Sequence, residues 1–175
     1  ISTMNVKNVL EVGTFVGFSC FSMAKLLPRN RSKITTIEIN PDFHARAEQN
    51  QWEYLRLCKK QNTIPPGAIG KIDFVRDDAK KYLTNLEEEE AKKIDLFFLD
   101  GDKENYIFYL EWVLSKLKSG ALFLVDNALF KGGVVNNSGK FSGQIREFTE
   151  QLKNSNSFDY FFLPVGDCMI VARKK

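Results

Sequence analysis

The sequence predicts an α/β protein with a doubly wound sheet, on three observations. Short apolar, β-branched runs alternate five times with segments of helical periodicity, which is the pattern of right-handed βαβ crossovers. Residues 94–100 (IDLFFLD) are nearly continuous in apolar character, as a parallel strand covered on both faces must be. Four of the first five strands finish on or beside carboxylates, at Glu38, Asp77 and Asp78, Asp100, and Asp126. Sheets of this kind place their ligands outside the carboxyl ends of the strands, where those acids would lie.

The 175 residues are 43% hydrophobic and 13% aromatic, enough for a real core, and are read as one domain over residues 1–175. Most of the fifteen Phe are expected to be buried. A net charge of +3, from 25 basic and 22 acidic residues, is too small to argue for nucleic acid by itself. Cys20, Cys58 and Cys168 are odd in number and scattered, which reads as reduced thiols of a cytoplasmic protein rather than a disulfide frame or zinc site. No apolar run approaches the roughly 18 residues of a membrane span and no signal peptide is visible, so no membrane partner is expected. The chain opens at Ile1 and enters its first strand almost at once, so upstream residues are expected to be missing.

Taken in order, residues 6–12 form the first strand through Val9, Leu10 and Val12. Gly13 and Gly17 punctuate a tight turn into a helix over 18–27 that stops at Pro28. Such a turn leaves backbone N–H groups for an anionic ligand and lets it approach closely; the same glycines equally suit an ordinary strand-to-helix connection. No Gly-x-Gly-x-x-Gly follows the strand, which counts against NAD and FAD, and no Gly-Lys-Ser/Thr is present, which excludes a P-loop. Residues 33–38 are a second strand, and Asn40-Pro41-Asp42 opens a long helix by its capping chemistry. Phe43, Ala47, Tyr54 and Cys58 fall at helical spacing toward the sheet, with His44, the only histidine, read as solvated. A loop at 62–67 and a third strand at 71–76 follow. Asp77-Asp78-Ala79 then leads into a helix whose solvated end is the acidic run 87–90. After the strand at 94–100, Tyr106, Leu110, Val113, Leu114 and Leu117 mark the apolar stripe of a helix that closes at Gly120. Residues 121–126 are the fifth strand, 131–139 a glycine- and asparagine-rich loop, and Ile145, Phe148 and Leu152 the inner face of the last helix. Strands at 158–163 and 168–172 flank Pro164-Val165-Gly166-Asp167 closely enough to form a hairpin, so the seventh strand is antiparallel.

The strand ends suggest a chemistry. Glu38 follows Gly17 by 21 residues and ends strand two, where nucleotide-binding sheets use an acid to hold ribose hydroxyls. Asp100, Asp126 and Asn127 offer two carboxylates and an amide oxygen, a set suited to Mg²⁺, Ca²⁺ or Mn²⁺. Such a cation favours the ionised form of a coordinated hydroxyl. The other reading of Asp126-Asn127 is the start of a turn. Lys103, three residues after Asp100, can reach the same pocket, and a lysine near a metal and partly desolvated serves as a general base.

Five stretches carry a resemblance: Glu11-Val-Gly-Thr-x-x-Gly-x-Ser19, Ile37-Glu38-Ile39-Asn40-Pro41, Asp100-Gly-Asp-Lys-x-Asn-Tyr106, Asp126-Asn127-x-Leu129, and Leu163-Pro-Val-Gly-Asp167. Together, and across essentially the whole chain, they resemble the cation-dependent S-adenosylmethionine O-methyltransferases, the catechol and caffeoyl-CoA group with its small bacterial relatives. The resemblance implies a Rossmann-like class I methyltransferase domain with a seven-stranded sheet of order 3-2-1-4-5-7-6 and strand 7 antiparallel. It implies that the helices that family members carry before the first strand lie outside this sequence. Glu11, Gly13, Thr14 and Ser19 would border the methionine part of the cofactor, with Gly17 in the same turn. Glu38 would hold the ribose, Asp78 and Ala79 would border the adenine, and Asp102 would also contact the cofactor. Asp100, Asp126 and Asn127 would bind the cation, Mg²⁺ foremost. Lys103 matches the lysine assigned as base in the catechol enzymes, and Asp100 joins it as catalytic and cofactor-contacting.

The implied reaction is divalent-cation-dependent methyl transfer from S-adenosylmethionine to a hydroxyl of a small catechol-like (vicinal diol) acceptor, in a cytoplasmic homodimer. Two alternatives accompany it. One is methylation of a hydroxylated uridine in tRNA, with Lys59, Lys60, Lys71, Lys80 and Lys81 as a basic patch; the other is a cofactor-binding protein without catalysis. The chain departs from the family pattern at Phe130-Lys131, where plant enzymes have Trp-Asn. It departs again at residues 76–79, in place of a glycine-containing turn, and at Cys168, in place of a glycine.

Overall fold

Apolar and β-branched runs form seven strands: β1 (Asn8–Val12), β2 (Lys33–Ile37), β3 (Ile72–Val75), β4 (Leu96–Leu99), β5 (Leu122–Val125), β6 (Phe158–Leu163) and β7 (Met169–Lys174). The computed structural model describes residues 5–27, 32–61 and 71–175, without the side chains of 58, 59 and 61. The expectations for Pro28, the loop 62–67 and the side chains of Cys58 and Lys59 lie outside the described residues. The strand order is β3-β2-β1-β4-β5-β7-β6, as predicted. The pairs β1–β2, β2–β3 and β4–β5 are parallel, and β7 runs antiparallel to both β5 and β6. The chain divides into two compact units, residues 1–79 and 80–175.

In the first unit, β1 is followed by α1 (Phe18–Leu26) and β2 by α2 (Pro41–Gln61). The Asn40 carboxamide caps α2, accepting from the N–H groups of Asp42 and Phe43 at 2.9 and 3.2 Å. Of the described part of the expected stripe of α2, Ala47 is buried and Tyr54 is half-buried, stacked on Phe21 at 5.0 Å, and only Phe43 departs from it. Ala47 and Leu55 are buried, whereas Phe43 is 39% exposed and packs edge-on against Phe15 at 4.7 Å. His44 takes the inward place instead of solvent. Its side chain is only 14% exposed, lies edge-on to Phe74, and sets Nδ1 3.6 Å from the Glu48 carboxylate. Lys71 lies just outside β3, is 5% exposed, and donates from Nζ to the Leu27 carbonyl, so it cannot join a surface basic patch.

In the second unit all four residues of β4 are buried, and Phe97 stacks on Phe123 at 5.4 Å while Phe123 meets Phe148 edge-on. Burying each such side chain stabilises by about 1.5–3 kcal/mol. The last turn of α5 (Tyr106–Lys116) is closed by Lys174, whose Nζ donates to the carbonyls of Val113, Leu114 and Leu117 at 3.1, 2.7 and 2.6 Å. Desolvation lowers the pKa of that amine. Ile145, Phe148 and Leu152 of α7 (Ser142–Asn154) are buried as expected.

Three expectations are corrected in this unit. The helix read from Ala79 to the acidic run is two helices, α3 (Ala79–Thr84) and α4 (Glu88–Ala91). The Asn85 amide side chain turns back on the Lys81 carbonyl and Glu87 is extended, which ends the first helix. The three glutamates Glu88, Glu89 and Glu90 then form the first turn of the second, where the helix dipole favours acids. The loop 131–139 contains a short helix, α6 (Gly133–Asn136). The seventh strand begins at Met169 rather than Cys168, because Cys168 adopts φ 64° and belongs to the turn. Only Phe21, Phe97, Phe98, Phe123, Phe148 and Phe158 of the fifteen Phe are buried; Phe161 and Phe162 are exposed because β6 is the edge strand. Among the described residues, no helix is long and apolar enough to cross a membrane.

Candidate active site

The turn after β1 is closed from within. Gly13 (φ 96°), Phe15 (φ 49°) and Gly17 (φ 91°) are all left-handed, a conformation that glycine adopts freely and phenylalanine does not. At Gly17 a side chain is also excluded by space, since a Cβ would sit 2.5 Å from the Phe21 ring. The Gly13 and Thr14 N–H groups bond the Ile37 carbonyl, and the Gly17 N–H bonds the Thr14 carbonyl. The Phe15 N–H bonds Glu38 Oε2 at 2.9 Å. These N–H groups are therefore spent inside the unit, and the expected free amides are not found at Gly13, Thr14, Phe15 or Gly17. Glu38, only 8% exposed, is the clamp: its second oxygen accepts from the Asn40 N–H at 2.9 Å. The strained φ at Phe15 costs roughly 1–3 kcal/mol, and the charge-assisted bond from Glu38 offsets it.

Below the turn lies a polar chain that the sequence did not disclose. Thr36 donates to Glu11 Oε2 at 2.5 Å, so the 2.6 Å contact between Thr14 and Thr36 has Thr14 as donor. Glu11, Thr14 and Thr36 are buried. Thr36 was detectable only as a hydroxyl within the strand Lys33–Ile37. Ser19 sits in the first turn of α1, half-buried; Asp78 is half-buried, and its N–H bonds the Asp77 carboxylate. Ala79 is buried at the start of α3.

In the second unit the acids and the lysine do converge. Burial and the charge of Asp126 raise the Asp100 carboxyl above the usual carboxylate range, with Lys103 acting in the opposite sense. Burial lowers the Lys103 amine from its ordinary value, opposed by Asp100, Asp126 and Asp167. Its Nζ donates to Tyr106 Oη and to Asn127 Oδ1, each at 3.1 Å. Tyr106 is buried, its pKa is pushed up mainly by desolvation, and its hydroxyl reaches the Asp126 carbonyl at 3.5 Å. Lys103 is thus held by an amide and a neutral phenol within the field of three acids. Asp102 is left-handed at φ 50°, and its carboxylate is engaged by the Tyr109 hydroxyl at 2.6 Å and the Asn105 amide at 2.9 and 3.0 Å.

The loop leaving β5 is shaped by distant residues. Asp126 Oδ1 accepts from the Asn127 N–H at 2.7 Å, and Asn127, Phe130 and Lys131 take φ of 58°, 47° and 53°. The Ala128 and Leu129 N–H groups bond the carbonyls of Cys168 and Asp167 at 2.8 and 3.1 Å. The Lys131 N–H is bracketed by both oxygens of Asp167, at 2.9 and 2.7 Å.

A divalent cation fits this donor set. Burial and the charge of Asp126 raise the cost of ionising Asp100, and Lys103 counters that without reversing it. The candidate ligands carry oxygen only, the chemistry of a hard cation. Among the described residues no three His, Cys, Asp or Glu side chains gather as a metal group, so a cation here would draw its third side-chain oxygen from the Asn127 amide.

The model of the O-methyltransferase family matches residues 1–175, and the chain belongs to that family of enzymes. The chain is 33% identical over 181 residues to tapetum-specific methyltransferase 1 of Arabidopsis thaliana, covering 99% of this chain and 72% of the relative. It is 32% identical over 129 residues to the catechol O-methyltransferase of Niastella koreensis, covering 74% of this chain and 52% of the relative. Its fold is that of the O-methyltransferase TomG from Streptomyces achromogenes, solved in complex with SAM. That match has a TM-score of 0.82 at 23% identity and covers 99% of this chain and 75% of that one.

Proposed function

We propose that this enzyme transfers a methyl group from S-adenosylmethionine to one hydroxyl of a small catechol-like acceptor, with a divalent cation, Mg²⁺ before Mn²⁺ or Ca²⁺, held by Asp100, Asp126 and Asn127. The observation that carries the reading is the cluster of Lys103 with Asp100, Asp126 and Asn127: a partly desolvated amine beside a carboxyl that burial and a second acid disfavour as an anion. The catechol-methylating relative supports the acceptor class. When bound, the cation supplies positive charge that favours ionisation of a neighbouring hydroxyl. Lys103, in its neutral form, takes the acceptor proton at Nζ. The freed oxygen attacks the methyl carbon, and the carbon–sulfur bond breaks with its electron pair left on sulfur, giving S-adenosylhomocysteine. Tyr106 stays protonated and keeps Nζ in place. Attack of an anion on a sulfonium disperses charge, so orientation in a dry site supplies much of the rate.

The acceptor in this reading is a free small molecule, not tRNA. Lys71 is buried, and Lys80 is drawn to Asn105 at 3.3 Å and to the Phe108 ring. A second copy of the chain is the expected protein partner, which sedimentation measures directly. The function is tested by incubating the protein with S-adenosylmethionine and Mg²⁺ against a panel of vicinal diols and a tRNA bearing a hydroxylated uridine, following product mass. Methyl transfer to a diol is expected. Transfer to the tRNA alone, or to neither, removes this acceptor.

Glu38 carries a second expectation. In this reading its carboxylate binds the ribose while holding the Phe15 and Asn40 N–H groups. Glu38→Gln is expected to weaken S-adenosylhomocysteine binding by about 1.5–3 kcal/mol and to speed exchange of the Phe15 amide. Because the side chain is buried, the loop loosens along with the affinity. Calorimetry with an unchanged affinity in a folded variant would remove Glu38 from the cofactor site.

A further inference from the structure

The stretch Leu163-Pro-Val-Gly-Asp167 has no part in the chemistry above, yet it bonds the segment that directly follows Asp126 and Asn127. Asp167 grips the Lys131 N–H with both carboxylate oxygens, at 2.9 and 2.7 Å. Its own carbonyl takes the Leu129 N–H, and the next carbonyl, of Cys168, takes that of Ala128. Three N–H groups of the segment 128–131 therefore end on two consecutive residues of the β6–β7 turn. The segment needs this, because Asn127, Phe130 and Lys131 are left-handed and only Asn tolerates that well. The turn is itself pinned: the Cys168 N–H bonds the Val165 carbonyl, and the Val165 N–H bonds that of Leu163. The Asp167 charge also acts on Lys103.

We propose that Asp167 is a positioning residue that clasps the segment after β5 and so sets the geometry in which Asp126 and Asn127 present oxygens to the divalent cation. The inference rests on the cation-binding reading of those residues. It makes the β6–β7 turn, roughly forty residues away in sequence, part of the apparatus for metal affinity. A clasp of this kind works through the backbone, so what matters at position 167 is an acceptor oxygen, not a negative charge. By linkage, the cation should in turn tighten the clasped amides.

The test uses Mn²⁺ alone, with binding read by electron paramagnetic resonance, on the wild type, Asp167→Ala and Asp167→Asn. Asp167→Ala should weaken Mn²⁺ binding about 10–100-fold, the range for residues that orient metal ligands. Asp167→Asn, which keeps an acceptor for the Lys131 N–H, should recover most of it. S-Adenosylhomocysteine affinity should stay unchanged in both, a result that general destabilisation would not give. In the wild type, Mn²⁺ should slow hydrogen exchange at Ala128, Leu129 and Lys131, a measurement that needs no variant to fold. Wild-type Mn²⁺ binding with an undiminished Asp167→Ala, or with exchange unmoved by the ion, overturns the clasp and leaves the cation reading standing. Loss of affinity in Asp167→Asn equal to that in Asp167→Ala makes charge the cause and overturns it too. Absence of Mn²⁺ binding in the wild type overturns the cation reading and the clasp together.

Discussion

Replacement of Lys103 by alanine is expected to lower kcat by about 10²–10⁴-fold, the range for a lost proton-transfer group, while the apparent KM for the acceptor changes little. The structure supplies the reasons for both halves. Nζ is fixed by Tyr106 and Asn127 at 3.1 Å each, so the amine is aimed rather than mobile. Burial lowers its pKa and three acids oppose that fall, leaving it below an ordinary lysine. The sign follows: below its pKa Lys103 is a cation and cannot accept a proton, so wild-type kcat rises with pH as the amine is freed. In Lys103→Ala that rise should vanish. A variant that keeps most of its kcat with the pH profile unmoved would mean that Lys103 only orients Asn127. A rise in KM with kcat intact would make it a binding residue.

Exhaustive chelation should remove methyl transfer altogether, and Mg²⁺ or Mn²⁺ should restore it. Burial and the charge of Asp126 oppose the ionisation of Asp100, and Lys103 counters that cost only in part. A divalent cation completes that compensation. Zn²⁺ is expected to restore activity poorly, because the three ligands offer neither imidazole nor thiolate. Asp126→Ala should reproduce the effect of chelation even in excess Mg²⁺. Full activity after chelation, checked by elemental analysis of the treated protein, would refute the cation requirement.

The fold was legible because its signals are local. The apolar run ending at Asp100, the capping residues Asn40 and Pro41, and the stripe Ile145, Phe148 and Leu152 each declare themselves within a few residues. The acids at strand ends were legible for the same reason: an apolar run that stops at a carboxylate marks a sheet edge. What was hidden depends on partners far apart in sequence. Glu38 looked like an exposed strand end, and only the distant Phe15 N–H makes it a buried clamp. Left-handed backbone at Phe15, Phe130, Lys131 and Cys168 leaves no trace in composition, since none of these is a residue type that favours it. The inward face of α2 was misread at one place, because Phe43 is more apolar than His44, yet Phe43 is occupied by Phe15.

Lys174 ties β7 to the unit that holds Lys103. Its amine closes the final turn of α5, the helix whose first residue is the Tyr106 that steadies Lys103. Without that amine the carbonyls of Val113, Leu114 and Leu117 would lose this donor, at the end of the helix remote from the chemistry. β7 therefore acts as a latch on α5 as well as a strand of the sheet.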